Sequence, residues 1–161
     1  MKSSLFFIII ILCAFSTFGQ TSAAEVDAIS NLLNVQKHEA VAKLVPVHGK
    51  DSVAFWKLYN EYEKETKSIT SNRIRLYEAT ARAYVRMNPA VADSLALRYF
   101  ANRVDQEERL EVYYKKIKTA TNAVTAFEFY QAEIYILTQL RGAIMQQIPV
   151  YGALQAIIQK N

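Results

Sequence analysis

Cysteine occurs once in this chain, at Cys13, and proline and glycine are nearly as scarce, with three and four residues out of 161. Cys13 sits inside an apolar N-terminal run, so the chain beyond it has no thiol. That excludes a disulfide framework, a cysteine-based metal site and a cysteine nucleophile. Histidine is limited to His38 and His48, ten residues apart with Pro46 between them. Neither has a partner at metal-ligand spacing, and Met87 and Met145 are too few for a soft-metal site. No glycine-rich phosphate loop and no glycine elbow around a serine exists. Glu61, Glu63 and Glu65 do not converge on one helix face. Glu61 and Glu65 lie one turn apart and repel, and Glu63 points elsewhere, so the run reads as a solvated face with Glu63 pairing Lys67. The formal charge of +4 comes from interspersed basic and acidic residues, which gives no case for nucleic acid. No enzyme, cofactor or metal is expected.

What is present begins with an export signal. Lys2 supplies a positive start, Leu5 to Phe15 an unbroken apolar run, and Ser16, Thr17, Gly19, Ser22, Ala23 and Ala24 a small, polar exit. A membrane-spanning helix needs about 20 apolar residues, so this shorter run reads as a signal peptide over residues 1–24, cleaved after Gly19 or Ala24. A retained signal anchor is the alternative. Leu12 before Cys13 does not suit a lipoprotein signal. Removing Lys2 lowers the formal charge from +4 to +3. About 140 residues then remain, one domain's worth, in an expected periplasmic protein.

Pro46, Gly49, Pro89, Gly142, Pro149 and Gly152 are the breakers of that remainder, and between them the chain reads as helix. A first helix is expected over about Glu25 to Val45, with Ile29, Leu32, Leu33, Val41 and Leu44 apolar. A second opens near Asp51 as N-cap and continues to Met87 along Phe55, Tyr59, Tyr62, Ile69, Leu76, Ala83 and Met87. Ser68 to Asn72 is its weakest stretch and a candidate kink. Asn88-Pro89 starts the third, which runs to about Lys118 on Val91, Leu95, Phe100, Val104, Leu110, Tyr114 and Ile117. Its outer face offers the pairs Asp105–Arg109 and Glu111–Lys115. Asn122 caps the fourth, carried by Phe127, Tyr130, Ile134, Leu137, Ile144 and Ile148 up to Pro149. Residues 25–149 form the helical domain and 150–161 a tail with Leu154, Ile157 and Ile158. The class is all-α: elongated antiparallel helical hairpins, about four helices. All ten tyrosines follow the signal, where half of the eight phenylalanines reside. Tyrosine suits a ring that is buried at one end and wet at the other, as in a thin layer of helices.

Two helix starts echo each other. Asp51-Ser52-Val53-Ala54-Phe55-Trp56-Lys57-Leu58-Tyr59-Asn60 matches Asn122-Ala123-Val124-Thr125-Ala126-Phe127-Glu128-Phe129-Tyr130-Gln131 as cap, valine, aromatic, tyrosine and carboxamide. Val53, Phe55, Trp56, Tyr59 and Asn60 in the one, and Val124, Phe127, Tyr130 and Gln131 in the other, are its candidate structural residues. Together with the export signal, this echo resembles the twice-repeated LTxxQ-type element of the Spy/CpxP-like periplasmic helical family. The likeness extends to small envelope proteins labelled sensors of ECF-type sigma factors, through Phe55-Trp56-Lys57-Leu58-Tyr59-Asn60-Glu61-Tyr62, Tyr113-Tyr114-Lys115-Lys116 and Tyr130-Gln131-Ala132-Glu133. It covers residues 45–149. A strict Leu-Thr-x-x-Gln occurs nowhere, Val124-Thr125 being nearest. The resemblance implies a cradle-shaped homodimer of helical hairpins that acts as an ATP-independent chaperone, a regulator bound to an envelope sensor or anti-sigma factor, or a metal-responsive sensor.

One surface stands out for binding. Arg73, Arg75, Arg82 and Arg86, with Tyr77 and Tyr84, give the distal half of the second helix a cationic and aromatic character suited to partly unfolded chains. Ordinary helix solvation, with Glu78 pairing Arg82, is the plainer reading. Trp56 reads as a core or interface anchor.

Overall fold

Pro46 and Gly49 end one helical run and start the next, and the computed structural model, which describes residues 36–145, shows how. Residues 36–44 form α1, followed by a bend at Val45 and extended backbone over 46–48. The Val45 amide closes α1 on the Val41 carbonyl at 2.9 Å. Helix α2 spans Gly49–Ala83, with His48 as N-cap. Gly49 has φ 60°, the left-handed conformation that glycine adopts without a Cβ penalty, and it turns the chain into α2. Asp51, the expected cap, lies in the first turn instead, where a carboxylate favours the exposed amides. The stretch 68–72 is continuous helix. α2 stops four residues before Met87 and passes into a 3₁₀ turn, Tyr84–Arg86.

Helix α3, Pro89–Ala120, starts as the sequence predicts. Asn88 accepts a cap bond from the Val91 amide at 3.1 Å, with Pro89 in the first turn. Helix α4 spans Ala123–Met145. Asn122 caps it, accepting from the Val124 and Thr125 amides at 2.9 and 3.0 Å. The described residues thus form an all-α structure of four helices without a strand. None of the described helices is long and apolar enough to cross a membrane. The signal peptide, Ile29, Leu32, Leu33, the Ile144 side chain, Ile148 and the tail 150–161 lie outside the described residues.

At 1.5 Å per residue the 35 residues of α2 extend about 52 Å. α3 returns antiparallel beside it, since Tyr77 meets Tyr99 and Tyr62 meets Tyr113. The seam of α2 follows a 4–3 step through Phe55, Tyr59, Tyr62, Thr66 and Ile69 to Leu76, all buried. That step is the signature of left-handed coiled-coil packing. α3 answers with Leu95, Asn102, Gln106, Leu110, Tyr113 and Ile117. Helix α4 then folds back along α3, bringing Phe129 against Phe55, Tyr59 and Tyr62. Val41 of α1 and Val45 at the bend complete the cluster with Ala126 and Ala132. Five rings in it, on Phe55, Tyr59, Tyr62, Tyr113 and Phe129, are fully buried. Edge-to-face pairs of this kind add about 0.5–1.5 kcal/mol each beyond their buried area.

Two expected stripes are corrected. In α3, Phe100 and Val104 are exposed, because the polar Asn102 and Gln106 occupy the seam. In α4, Phe127 faces outward and Tyr130 is half-buried, while Ala126, Phe129 and Glu133 point inward. Met87 and Leu44 are also exposed. Arg109 bonds Glu65 across the helix interface at 3.5 Å instead of pairing with Asp105, whereas Glu111–Lys115 and Glu78–Arg82 form as expected.

Candidate functional site

The seam is the first place to look for chemistry, because its centre is polar. Asn102 donates to the Ile69 carbonyl and accepts from Arg73 Nε, both at 2.9 Å. A second guanidinium nitrogen of Arg73 reaches Gln106 Oε1 at 3.4 Å, and Gln106 Nε2 donates to the Tyr62 hydroxyl at 2.7 Å. Tyr62 donates in turn to Glu133 Oε2 at 2.8 Å, and Tyr59 to Glu133 Oε1 at 3.2 Å. Lys37 closes the line as the counter-ion, 2.9 Å from Glu133 Oε2. Every helix contributes: Lys37 from α1, Tyr59, Tyr62 and Arg73 from α2, Asn102 and Gln106 from α3, Glu133 from α4.

Glu133 is fully buried, and its ammonium partner is 14% exposed. Lys37 also lies over the Tyr62 and Tyr59 rings, 4.8 and 5.6 Å from their centroids. Burial, reinforced by the charge of Glu133, pushes both phenols far above the ordinary tyrosine range. They therefore remain neutral donors. Burial lowers the Arg73 guanidinium from its usual value. Glu63, on the margin of the network, is raised by burial against the opposing pull of Lys37 and His38. Its Oε1 has no hydrogen-bond partner, so the sequence expectation of a solvated Glu63 paired with Lys67 gives way to a half-buried carboxyl. Beside it, His38 stacks on Trp56 at 4.4 Å between ring centroids. Among the described residues no group of three histidine, cysteine or acidic side chains is placed to hold a metal ion.

This network has the properties of a register lock. Its members bond one another across all four helices, and a slip of one helix along its neighbour strands a charge in the core. Lys37, Asn102 and Gln106 are the residues that sequence reasoning passed over, and Glu133 entered it only as the end of the Tyr130-Gln131-Ala132-Glu133 segment. A carboxylate in step with Ala126 and Phe129 on an apolar helix face was the available signal.

The second feature lies on the outside of α3. Leu97, Phe100 and Val104 repeat at three and four residues and are 59, 62 and 54% exposed; Phe127 of α4 is 54% exposed. A groove of about 750 Å³ runs between the two helices, with Phe100, Val104 and Tyr114 on the α3 side and Phe127 and Tyr130 on the α4 side. Leu110 forms part of its lining, and Arg103, Glu107, Glu108 and Glu111 supply its charges. Glu111 is held by Lys115, which lowers its carboxyl from the ordinary range. Glu107 and Glu108 make no ion pair among the described residues.

The residues singled out in α2 do not form one face. Arg73 and Tyr77 are turned toward α3, where burial raises the Tyr77 phenol. Arg82 pairs with Glu78 at 3.2 Å, and Arg75 reaches Asn72 at 3.5 Å. Tyr84 is half-buried and Arg86 exposed in the turn beyond. The two echoed helix starts agree in burial at three positions only, and differ at Trp56 and Phe127 and at Tyr59 and Tyr130. Phe55 and Ala126 are buried, Val53 and Val124 exposed, and the carboxamides of Asn60 and Gln131 exposed. Trp56 is half-buried against the core and Tyr59 fully buried.

The geometry defines a helical protein with a locked interior and a partly apolar outer groove. Comparison with protein-family models, curated proteins and solved structures returned no match.

Proposed function

We propose that this is a periplasmic polypeptide-binding protein, a Spy-like holdase that shields non-native envelope proteins without ATP and works as a homodimer. The observation that carries the reading is the exposed row Leu97, Phe100 and Val104, continuous with a groove whose far wall is Phe127. Large apolar side chains gathered at one groove, instead of scattered singly, mark a surface built for contact. The apolar run Leu5 to Phe15 supports export, and the twin helix starts support the Spy/CpxP-like kinship. The interior network is fully engaged in holding helices together, which leaves the outer surface for work.

The purified protein is expected to slow aggregation of an unfolding client at stoichiometric ratios without nucleotide, and light scattering reads this directly. An unchanged aggregation rate at a tenfold excess counts decisively against the holdase. A regulatory adaptor for an envelope sensor or anti-sigma factor is the second reading, favoured by the acidic Glu107, Glu108 and Glu111 that line the same groove as Phe100, Val104 and Phe127. It is distinguished by a single partner recovered in a pull-down.

A further inference from the structure

We infer that the α3–α4 groove takes a cationic amphipathic helix, a segment with apolar residues at three- and four-residue spacing flanked by lysine or arginine. This rests on the polypeptide-binding reading and names its ligand. The groove follows α3 from Phe100 to Tyr114. Those 14 steps make about 21 Å, the length of four turns of a docked helix. A helix laid between α3 and α4 sets its side-chain ridges into an existing groove, the packing by which helices meet one another.

Charge selects the occupant. Among the described residues, Glu107, Glu108 and Glu111 face it, against Arg103 alone. Glu111 is already neutralised by Lys115, which leaves Glu107 and Glu108 as the unpaired anions. Lysine and arginine suit this edge because their stems cover apolar wall while their heads reach the carboxylates. The chain's own ends match poorly: residues 20–35 contain Glu25 and Asp27 with no lysine or arginine, and residues 146–161 contain Lys160 alone. A second copy presenting the same groove would bring Glu107 and Glu108 against their own duplicates. A foreign basic helix fits better than any of these.

Fluorescence anisotropy with two synthetic helical peptides, identical except for lysine or glutamate flanks, tests this. The lysine peptide is expected to bind at least about tenfold more tightly, with the advantage shrinking as salt rises. Glu107→Gln with Glu108→Gln should weaken it about tenfold, and Phe100→Ser with Phe127→Ser should abolish binding. All four side chains are exposed, and circular dichroism verifies the fold. Equal affinity for both peptides, or indifference to these substitutions, overturns the inference. A benzophenone on Val104→Cys identifies the occupant by mass spectrometry. Cross-links to the lysine peptide support the inference, whereas cross-links to residues 146–161 or to a second copy in its presence overturn it. The aggregation assay separates this from the holdase reading. A Phe100→Ser, Phe127→Ser variant that still protects the client sinks the groove and leaves the holdase. A wild-type protein that binds the lysine peptide but protects no client does the reverse.

Discussion

Glu133 is the side chain on which the polar contacts of three helices converge, and its step with Ala126 and Phe129 is the one local sign of it. Its two oxygens take two phenols and one ammonium from helices distant in sequence. A buried ion pair gains its Coulomb energy at the cost of desolvating both charges, so its presence is weak evidence for stability. Removing one member is another matter. Glu133→Gln leaves Lys37 facing a neutral amide. It also replaces one of the two acceptor oxygens by an NH₂, so one of the two phenols loses the atom it donates to. A loss of about 3 kcal/mol is expected in urea unfolding. Adding Lys37→Met to the same chain should cost less than the two changes summed, because the stranded charge is gone. Strict additivity in that cycle would show that the pair is not coupled. Glu63 illustrates the opposite balance. Its raised proton affinity means that, from the ordinary carboxylate range up to its own higher value, the folded state keeps a proton that the unfolded chain has released. Its contribution to stability therefore declines as pH climbs through that window.

Among elements, the boundaries with a local chemical cause were legible, whereas α2 starts before Asp51, the expected cap, and ends at Ala83, four residues before Met87. Pro46 closes α1, Asn88-Pro89 opens α3, and Asn122 opens α4 with its side chain on two amides. Facing was harder to read. α4 is apolar on almost every side, so a stripe through Phe127 and Tyr130 looks as good as the one through Ala126, Phe129 and Glu133 that the fold buries. The choice falls to small residues that allow close approach and to an acid that only a partner helix explains. The middle of α3 inverts the usual rule: Asn102 and Gln106 are inside while Phe100 and Val104 are outside, so apolar periodicity, right at Leu95, Leu110 and Ile117, selects the wrong face there. The groove was illegible for that reason, its residues having been assigned to the core. Glycine gives a paired test at this scale. Gly49 has open space around its Cα but φ 60°, so Gly49→Ala is expected to cost about 1–2 kcal/mol through backbone strain. Gly142 lies in exposed helix with equally open space and no such φ. Gly142→Ala should stabilise by up to about 1 kcal/mol. Thermal melts moving in opposite directions would confirm the assignment, and a Gly49→Ala chain of unchanged midpoint would refute it.

For the molecule as a whole, the tyrosines tie several helices to one titration. Tyr59, Tyr62 and Tyr77 come from α2 and Tyr113 from α3, and all four phenols are raised above the ordinary range, first by burial. Glu133 adds to the shift at Tyr59 and Tyr62, and Glu65 at Tyr113, whose hydroxyl donates to it at 2.8 Å. In the unfolded chain each releases its proton near pH 10, whereas in the folded chain each holds it. Over that interval the native state binds more protons than the unfolded state, so stability must fall as pH rises. Three coupled consequences follow in one alkaline titration. Stability is level through neutral pH and declines steeply from about pH 10. The helical signal collapses in a single step, because α1, α2, α3 and α4 share the cluster these rings build. Phenolate absorbance from the buried rings appears in that same step, since ionisation requires their release. Replacing Tyr59 and Tyr113 with phenylalanine removes two of the four protons and should flatten the decline accordingly. If absorbance shows every tyrosine ionised near pH 10 with helicity undiminished, the rings are not enclosed between the helices, and the interior described for this protein does not exist in solution.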